Sequence, residues 1–201
     1  MSESVRVRLT LIEPLLGTAS ANPDIHREFI ASKNPDAGSI EDEVATIGAD
    51  AVADKGMTVF ARMDDGRPMV WDYQIKGFFK DAAGMLRRVK SSKSSKLKAY
   101  KKIIDGLIFV EERRIPIEFD GELDNCQRPL RAQTAQGERV ALAESEMAPA
   151  GSTLTFTITT LEDGLMPAIE EWLRYGKLRG LGQWRNSGMG RFEFEALPAG
   201  E

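Results

Sequence analysis

Two segments far apart in the chain alternate strictly between apolar and polar residues. In Val5–Leu11, four aliphatic side chains alternate with arginine and threonine. In Thr153–Thr159, which reads TLTFTIT, leucine, phenylalanine and isoleucine alternate with threonine. Successive side chains of a strand point to opposite faces, so each segment predicts a β-strand with one buried and one polar face.

Further strand and helix patterns lie between and after these two strands. Their order is strand, helical insert, hairpin, helix, strands with a long loop, strand, helix, glycine-rich loop and strand. That order is typical of an α+β fold with helices on one face of a largely antiparallel sheet, and a βαββαβ ferredoxin-like core fits it best. The remaining predicted elements are helical patterns at Asp24–Ala31 and Ile40–Asp54, strands at Met57–Met63 and Pro68–Tyr73, helices at Ile75–Arg88 and Leu97–Ile104, strands at Leu107–Glu111 and Ile115–Phe119, a helix at Leu165–Tyr175 and a strand at Arg191–Glu195.

The charge of the chain is unevenly distributed. The net charge is −4, yet residues 76–102 contain ten lysines and arginines and a single aspartate. A strongly basic segment in an otherwise acidic chain is typical of a localised anion-binding surface, and it is also typical of a solvated helix or linker. Within this segment, residues 91–98 (SSKSSKLK) predict a short loop that is too polar to join the core.

Length and composition exclude several classes of protein. The 201 residues are enough for one large domain or two small ones. The apolar runs are too short to cross a membrane and no signal peptide precedes the first strand, so we expect a cytoplasmic protein without a membrane partner. One cysteine, Cys126, and one histidine, His26, cannot form a disulfide or a His/Cys zinc site. We therefore expect no metal and no cofactor.

A glycine-rich segment, Lys177–Phe194, is the strongest candidate for a functional site. It reads KLRGLGQWRNSGMGRFEF and follows the last predicted helix. Glycine permits positive φ and close approach of a ligand, backbone N–H groups can bind phosphate, and arginine supplies charge and a stacking surface. The segment lacks the GxxxxGK[ST] and GxGxxG spacings. A long glycine-rich connection without a ligand is the alternative interpretation.

Four ordered motifs together carry a resemblance to a known family. The chain resembles the RAMP superfamily and, within it, the repeated backbone subunit of CRISPR effector complexes, chiefly of the type III kind. It is also similar to standalone prophage proteins. The resemblance covers most of the chain outside residues 19–56. The motifs are the Pro-Leu-x-Gly strand exit in Leu11–Thr18, the segment Tyr73–Gly77 that leads into a basic helix ending Leu86-Arg87-Arg88, the runs Cys126–Ala135 and Met147–Phe156, and Gly188–Arg191.

The resemblance implies a single domain over residues 1–201 with a modified RRM/ferredoxin-like fold that binds single-stranded guide RNA. It places an acidic helical insert at 19–56, a thumb-like loop at 119–147 and a glycine-rich loop at 176–191. The thumb would be hairpin-like and would reach the next subunit of a homo-oligomer or of an effector complex. The RNA-binding residues expected by position are Lys80, Arg87, Arg88, Lys90, Arg128, Arg131, Arg179, Gly180, Gly182, Gln183, Trp184, Arg185, Asn186, Gly188, Gly190 and Arg191.

The chain departs from the family pattern in two places. The small hydroxyl residues expected after Gly77 are replaced by Phe78-Phe79. The family's catalytic aspartate belongs to the loop after the first strand, which here is the acidic insert, with Asp24 and Asp36 as the only counterparts. Composition gives a further expectation, because residues Asp120–Gly137 show no apolar periodicity and many turn formers and so predict a long segment without regular structure.

Three functions follow from these observations. The first is a non-catalytic protein that binds single-stranded RNA and oligomerises along it, either as a CRISPR-type subunit or as a phage-encoded anti-CRISPR mimic. The second is a RAMP-type endoribonuclease in which His26, Asp24 or Tyr175 acts as general base. The third is a protein-binding adaptor without nucleic-acid binding, which the acidic net charge and the Phe78-Phe79 replacement favour.

Overall fold

The protein is described by a computed structural model that covers residues 2–20, 57–134 and 137–198, with side chains described outside 130–142. The two helical patterns predicted between residues 24 and 54 lie outside the described residues. So do His26, Asp24 and Asp36 and nearly all of the acidic insert.

Twelve strands and three α-helices make up the described chain, and single 3-10 turns occur at Lys93–Lys96 and Arg185–Ser187. The elements are β1 (Glu3–Leu11), β2 (Leu15–Leu16), β3 (Ala19–Ser20), β4 (Met57–Val59), β5 (Ala61–Arg62), β6 (Pro68–Trp71), α1 (Asp72–Leu86), α2 (Tyr100–Leu107), β7 (Ile108–Val110), β8 (Arg114–Pro116), β9 (Asp124–Thr134), β10 (Gly137–Ala148), β11 (Thr153–Thr160), α3 (Met166–Arg179) and β12 (Phe192–Leu197). None of the helices in these ranges has the length and apolar character that crossing a bilayer requires.

The central sheet is built on the two alternating segments. Its strand order is β12-β1-β11-β7, and every neighbouring pair is antiparallel. Val7 lies opposite Phe156 of β11, and both are buried. The apolar half of each alternating pattern therefore faces one core, as predicted, and the mixed α+β class is confirmed.

Helices α1 and α3 cover the apolar face of this sheet. The Phe79 ring of α1 lies 5.6 Å from the Trp172 ring of α3, and the Phe78 ring lies 5.2 Å from Phe192 of β12. All four side chains are buried. The aromatic pair Phe78-Phe79 is thus part of the core, and its burial contributes about 1.5–3 kcal/mol per ring relative to exposure.

Two smaller sheets flank the central one. Strands β5, β6 and β8 form the first, and β2, β10, β4 and β3 form the second. In the second sheet, β9 and β10 make a long hairpin whose register runs from Asp124 opposite Met147 to Thr134 opposite Gly137. The prediction that residues 120–137 lack regular structure is therefore wrong for β9. A hairpin held by backbone hydrogen bonds does not need an apolar face to form, so periodicity missed it.

The prediction that the serine-lysine segment, residues 91–98, is too polar to join the core is also wrong, because part of the segment is buried. Ser94 is fully buried: its hydroxyl accepts a 2.7 Å hydrogen bond from Trp172 Nε1 and lies 3.3 Å from Glu171 Oε2. The buried Ser92 hydroxyl donates to the carbonyl of Leu86 at 2.7 Å. Each hydroxyl has partners, so polarity alone does not keep these residues out of the interior.

Candidate nucleic-acid interface

The glycine-rich loop begins at Gly180, because α3 continues to Arg179. Gly180, Gly182, Gly188 and Gly190 all have positive φ. The N–H of Leu181 donates to the carbonyl of Gly190 at 2.8 Å, and the N–H of Gly190 donates to the carbonyl of Pro14 at 2.8 Å. The two ends of the loop are therefore joined to each other and to the exit of β1.

Close backbone contacts explain why glycine is needed at these two ends. A Cβ at Gly190 would lie 2.0 Å from the carbonyl oxygen of Leu181, and one at Gly180 would lie 2.4 Å from that of Met189. The amides of Gly180, Gly188 and Gly190 already donate to backbone carbonyls of Gly176, Arg185 and Pro14. The N–H groups of these three glycines therefore close the loop, and a contact of the glycines with RNA stays a prediction.

Several of the cations expected at the site are already in ion pairs. Arg179 Nε and Arg185 Nη1 both lie 2.9 Å from Asp81 Oδ2, at the middle of α1. The hydrogen bond that Arg179 donates to the Asp81 carboxylate raises the pKa of Arg179 above its usual value. Lys80 is paired with Asp105 at 2.5 Å. These three side chains fix the loop and α2 on α1, and because Arg179 and Arg185 share one carboxylate, the three cations and two carboxylates keep a net charge of +1.

Gln183 joins the loop to the base of the β9–β10 hairpin. Its side-chain amide donates to the Thr58 hydroxyl at 2.8 Å and to the carbonyl of Gly17 at 2.5 Å. Its carbonyl oxygen accepts a 3.1 Å hydrogen bond from Arg128 Nη2. The structure thus brings together two of the residues expected to bind RNA, and the network around Gln183 holds them in place.

Arg128 lies under the tip of the loop. Its guanidinium is 4.6 Å from the centre of the Trp184 ring. Only 6% of the residue is exposed, and Nε and Nη1 have no hydrogen-bond partner among the described residues. Trp184 is 37% exposed and has φ 56° and ψ 30°, the left-handed conformation that non-glycine residues seldom adopt.

The remaining expected residues are spread around this centre. Arg191 ends the loop, and its buried Nε has no hydrogen-bond partner among the residues that the structure describes. Asn186 lies at the exposed tip, where its side chain accepts a 2.6 Å hydrogen bond from Arg179 Nη1. Arg131 belongs to β9, opposite Val140 of β10, and its side chain lies outside the described part.

Among the residues that the structure describes, exposed positive charge is concentrated at the basic corner, residues 87–102, where α1 ends and α2 begins. Within the described ranges, none of its eight exposed cations forms an ion pair, and Arg87 lies 5.4 Å from the Tyr100 ring. The backbone amide of Lys93 binds the Glu171 carboxylate at 3.1 Å, which holds the corner against α3. The eight cations are Arg87, Arg88, Lys90, Lys93, Lys96, Lys98, Lys101 and Lys102.

Five of these lysines were not among the residues expected at the site. The high count of lysines and arginines in residues 76–102 signalled them, but the predicted loop at 91–98 left the positions of Lys93, Lys96 and Lys98 open. The structure places all five next to the end of α1. The three expected residues Arg87, Arg88 and Lys90 therefore form part of a larger basic surface.

A cleft of about 520 Å³ lies between the N-terminal half of α1 and the loop. Tyr73, Phe78 and Met69 line its apolar side, and Arg185 and Thr58 lie among its polar lining. In the described part of the chain no group of three acidic, histidine or cysteine side chains is arranged to hold a metal. Tyr175 is the one candidate general base that lies among the described residues, and it is half-buried in α3.

Comparison with known proteins finds a similar structure but no matching family model or curated sequence. No family model and no curated protein sequence matches the chain. A chain in the cryo-electron microscopy structure of the type III-B Cmr-beta bound to cognate target RNA matches with a TM-score of 0.54 at 12% identity. The two chains share a fold. The match covers 98% of the present chain and 61% of the other, so this chain spans about three fifths of its neighbour's length.

Proposed function

We propose that the protein is a RAMP-type RNA-binding protein with a modified RRM/ferredoxin-like fold. Two observations support the fold assignment. The core elements follow one another as β1, α1, β7, β11, α3 and β12, which is a βαββαβ order. The structural neighbour, which is bound to cognate target RNA, shares its fold over 98% of this chain.

The observation that carries the function is the basic corner. Eight exposed cations without acidic partners among the described residues lie within sixteen consecutive residues, in a chain whose net charge is negative. Phosphate contacts of this kind give affinity without sequence preference. The ligand that fits is a single-stranded RNA of any sequence, as a guide RNA is.

The exposed Trp184 supports single-stranded rather than double-stranded RNA. An aromatic ring at a loop tip can stack on an unpaired base, which contributes about 1–3 kcal/mol per base. Trp184 lies on the loop that is attached to the hairpin base through Gln183. We therefore propose that the RNA backbone follows the basic corner and that an unpaired base reaches the loop.

The β9–β10 hairpin, within the segment 119–147, is proposed as the thumb, and the loop that follows α3, within the segment 176–191, as the RNA-contacting loop of a single domain. A projecting hairpin of this kind allows contact with a second copy or with another effector subunit, and copies that tile one strand would bind cooperatively. Phe78 and Phe79 are core residues, so their replacement of hydroxyl side chains does not require a loss of RNA binding. No observation on the described residues favours the endoribonuclease.

The test is the salt dependence of affinity for a labelled single-stranded RNA of random sequence. Each phosphate contact with a single strand contributes about 0.7 to the slope of log K against log salt concentration. Replacing Lys96, Lys98 and Lys102 by glutamine should therefore reduce that slope by about 2. No binding at 50 mM salt, or a flat salt response of the wild type, would contradict the proposal.

The matched control removes the same charge elsewhere. Arg8, Arg67 and Arg174 lie outside residues 87–102, are exposed and are paired with acidic residues. Their triple glutamine variant should keep the wild-type slope within about 0.5, because paired surface charges contribute little to a distant contact. An equal loss of slope in both triple variants would show that net charge, and not the basic corner, sets the affinity.

Two biological roles fit this activity. The protein would be a subunit of a CRISPR-type complex, or a phage-encoded mimic that captures guide RNA. Purification from the native host followed by sequencing of the bound RNA separates them, because a subunit should carry guides of the same cell together with effector proteins. A mimic should carry guides without the complete set of effector proteins.

A further inference from the structure

Arg128 is a buried charge that the fold leaves incompletely satisfied. It extends from β9 at the base of the hairpin, and 94% of it is inaccessible to solvent. Nη2 donates to Gln183, while Nε and Nη1 have no partner within the described residues. A buried guanidinium with unpaired N–H groups is costly, and such groups in native proteins point to a strained or functional state.

The residue that covers Arg128 is itself strained. Trp184 has a left-handed backbone, and the structure describes no other non-glycine residue with positive φ. Its indole covers the guanidinium at 4.6 Å while 37% of the residue faces solvent. Strain of this kind persists only where the surroundings maintain it, and it is concentrated at ligand-binding and switch positions.

We propose that Arg128 is a phosphodiester-binding residue that Trp184 covers until single-stranded RNA arrives, an inference that rests on the proposed function. When the indole moves away, the Nε–H and Nη1–H groups, which point to different sides of the guanidinium, become free to donate to phosphate oxygens. The neighbouring unpaired base stacks on the displaced indole. The buried donors gain partners and the left-handed backbone of Trp184 can relax.

The chemistry of Arg128 favours phosphate as the occupant. Nε and Nη1 each form an edge of the planar guanidinium together with Nη2, and such an edge binds two oxygens of phosphate in parallel hydrogen bonds. Gln183 accepts one hydrogen of Nη2, which fixes the orientation of the guanidinium, and the second Nη2 hydrogen completes one of these edges. A carboxylate offers the same two oxygens but no adjacent base to stack on Trp184, so an acidic peptide is the competing ligand to exclude.

The experiment uses the fluorescence of the three tryptophans. Trp71 and Trp172 are 3% and 0% exposed, so Trp184 should account for nearly all quenching by acrylamide, and a Trp184→Phe variant verifies this. Binding is followed in parallel through the anisotropy of a labelled single-stranded RNA. We expect bound RNA to quench Trp184 emission through base stacking, with the same midpoint as the anisotropy change.

The substitution Arg128→Lys tests the role of the guanidinium edge. Lysine keeps the charge but not the paired donors, and charged hydrogen bonds of this strength correspond to about a tenfold loss of affinity. The control is Arg174→Lys, an exposed residue paired with Glu170 on α3, which should leave affinity unchanged within about twofold. Circular dichroism establishes that both variants are folded, and the wild-type fluorescence measurement does not depend on either variant.

The outcomes separate this inference from the proposed function. RNA that binds without changing Trp184 emission would overturn the proposal that Trp184 covers a phosphate-binding Arg128. It would not contradict the proposed RNA-binding function. A folded Arg128→Lys protein with wild-type affinity would also overturn it. Quenching of Trp184 by poly-glutamate equal to that by RNA would overturn the assignment to phosphate. Absence of any RNA binding would overturn both proposals.

Discussion

Gly190→Ala should be among the most damaging single-methyl substitutions in the loop. The new Cβ would lie 2.0 Å from the Leu181 carbonyl oxygen, and that atom is backbone and cannot rotate away. The left-handed conformation, φ 71°, costs a non-glycine residue about 1–2 kcal/mol. Loss of the Leu181–Gly190 hydrogen bond adds about 0.5–1.5 kcal/mol. Together these terms lower the free energy of unfolding by about 1.5–3.5 kcal/mol.

Chemical denaturation measures this loss, and the melting temperature should fall by roughly 5–15 °C for a protein of this size. Gly164→Ala is the matched control, since Gly164 has φ 85° but no atom within 4 Å of the added Cβ. Its free energy of unfolding should fall only by the conformational cost of the left-handed backbone, about 1–2 kcal/mol. Equal losses in the two variants would refute the argument that close backbone contact dictates glycine at position 190.

Three further substitutions test other parts of the structure. Asp81→Asn should lower the free energy of unfolding by about 1–2 kcal/mol, because Arg179 and Arg185 both lose their carboxylate partner. The same change should steepen the salt dependence of RNA binding, and an unchanged slope of log K against log salt concentration would contradict this. Ser94→Ala should lower the free energy of unfolding, measured by urea denaturation, by about 1–3 kcal/mol, because the buried indole N–H of Trp172 loses its acceptor. An unchanged free energy of unfolding would mean that another acceptor replaces the serine hydroxyl. Gly106→Ala, in α2 with open space around its Cβ, should instead stabilise the protein by about 0.5–1 kcal/mol, and a loss of stability would be the contrary result.

The elements with strong apolar periodicity could be predicted from the sequence. The segments that became β1, β11, α1 and α3 each place an apolar stripe against one core, so the pattern of burial alone identifies them. Element ends were less accurate. For example, α1 begins at Asp72 instead of Ile75 because the Gln74 side chain accepts a hydrogen bond from the N–H of Trp71, a contact that periodicity does not report.

The elements and contacts that depend on partners distant in sequence could not be predicted. Strand β9 is held by backbone pairing with β10, and Ser94 is buried because Trp172 and Glu171 satisfy it. The same limit applies to the site. Asp81 lies about a hundred residues from the two arginines it binds, so a count of positive charges overstated what the loop offers a ligand. The count was informative at the basic corner, where the lysines are close in sequence and exposed.

The central claim is that an unpaired RNA strand contacts the basic corner and the tip of the glycine-rich loop. Ultraviolet crosslinking of the protein to single-stranded RNA containing 4-thiouridine, with the crosslinked peptides identified by mass spectrometry, tests this most directly. The account predicts crosslinks within residues 87–102 and at or beside Trp184. Crosslinks confined to other surfaces, such as the polar face of the β12-β1-β11-β7 sheet, would contradict it.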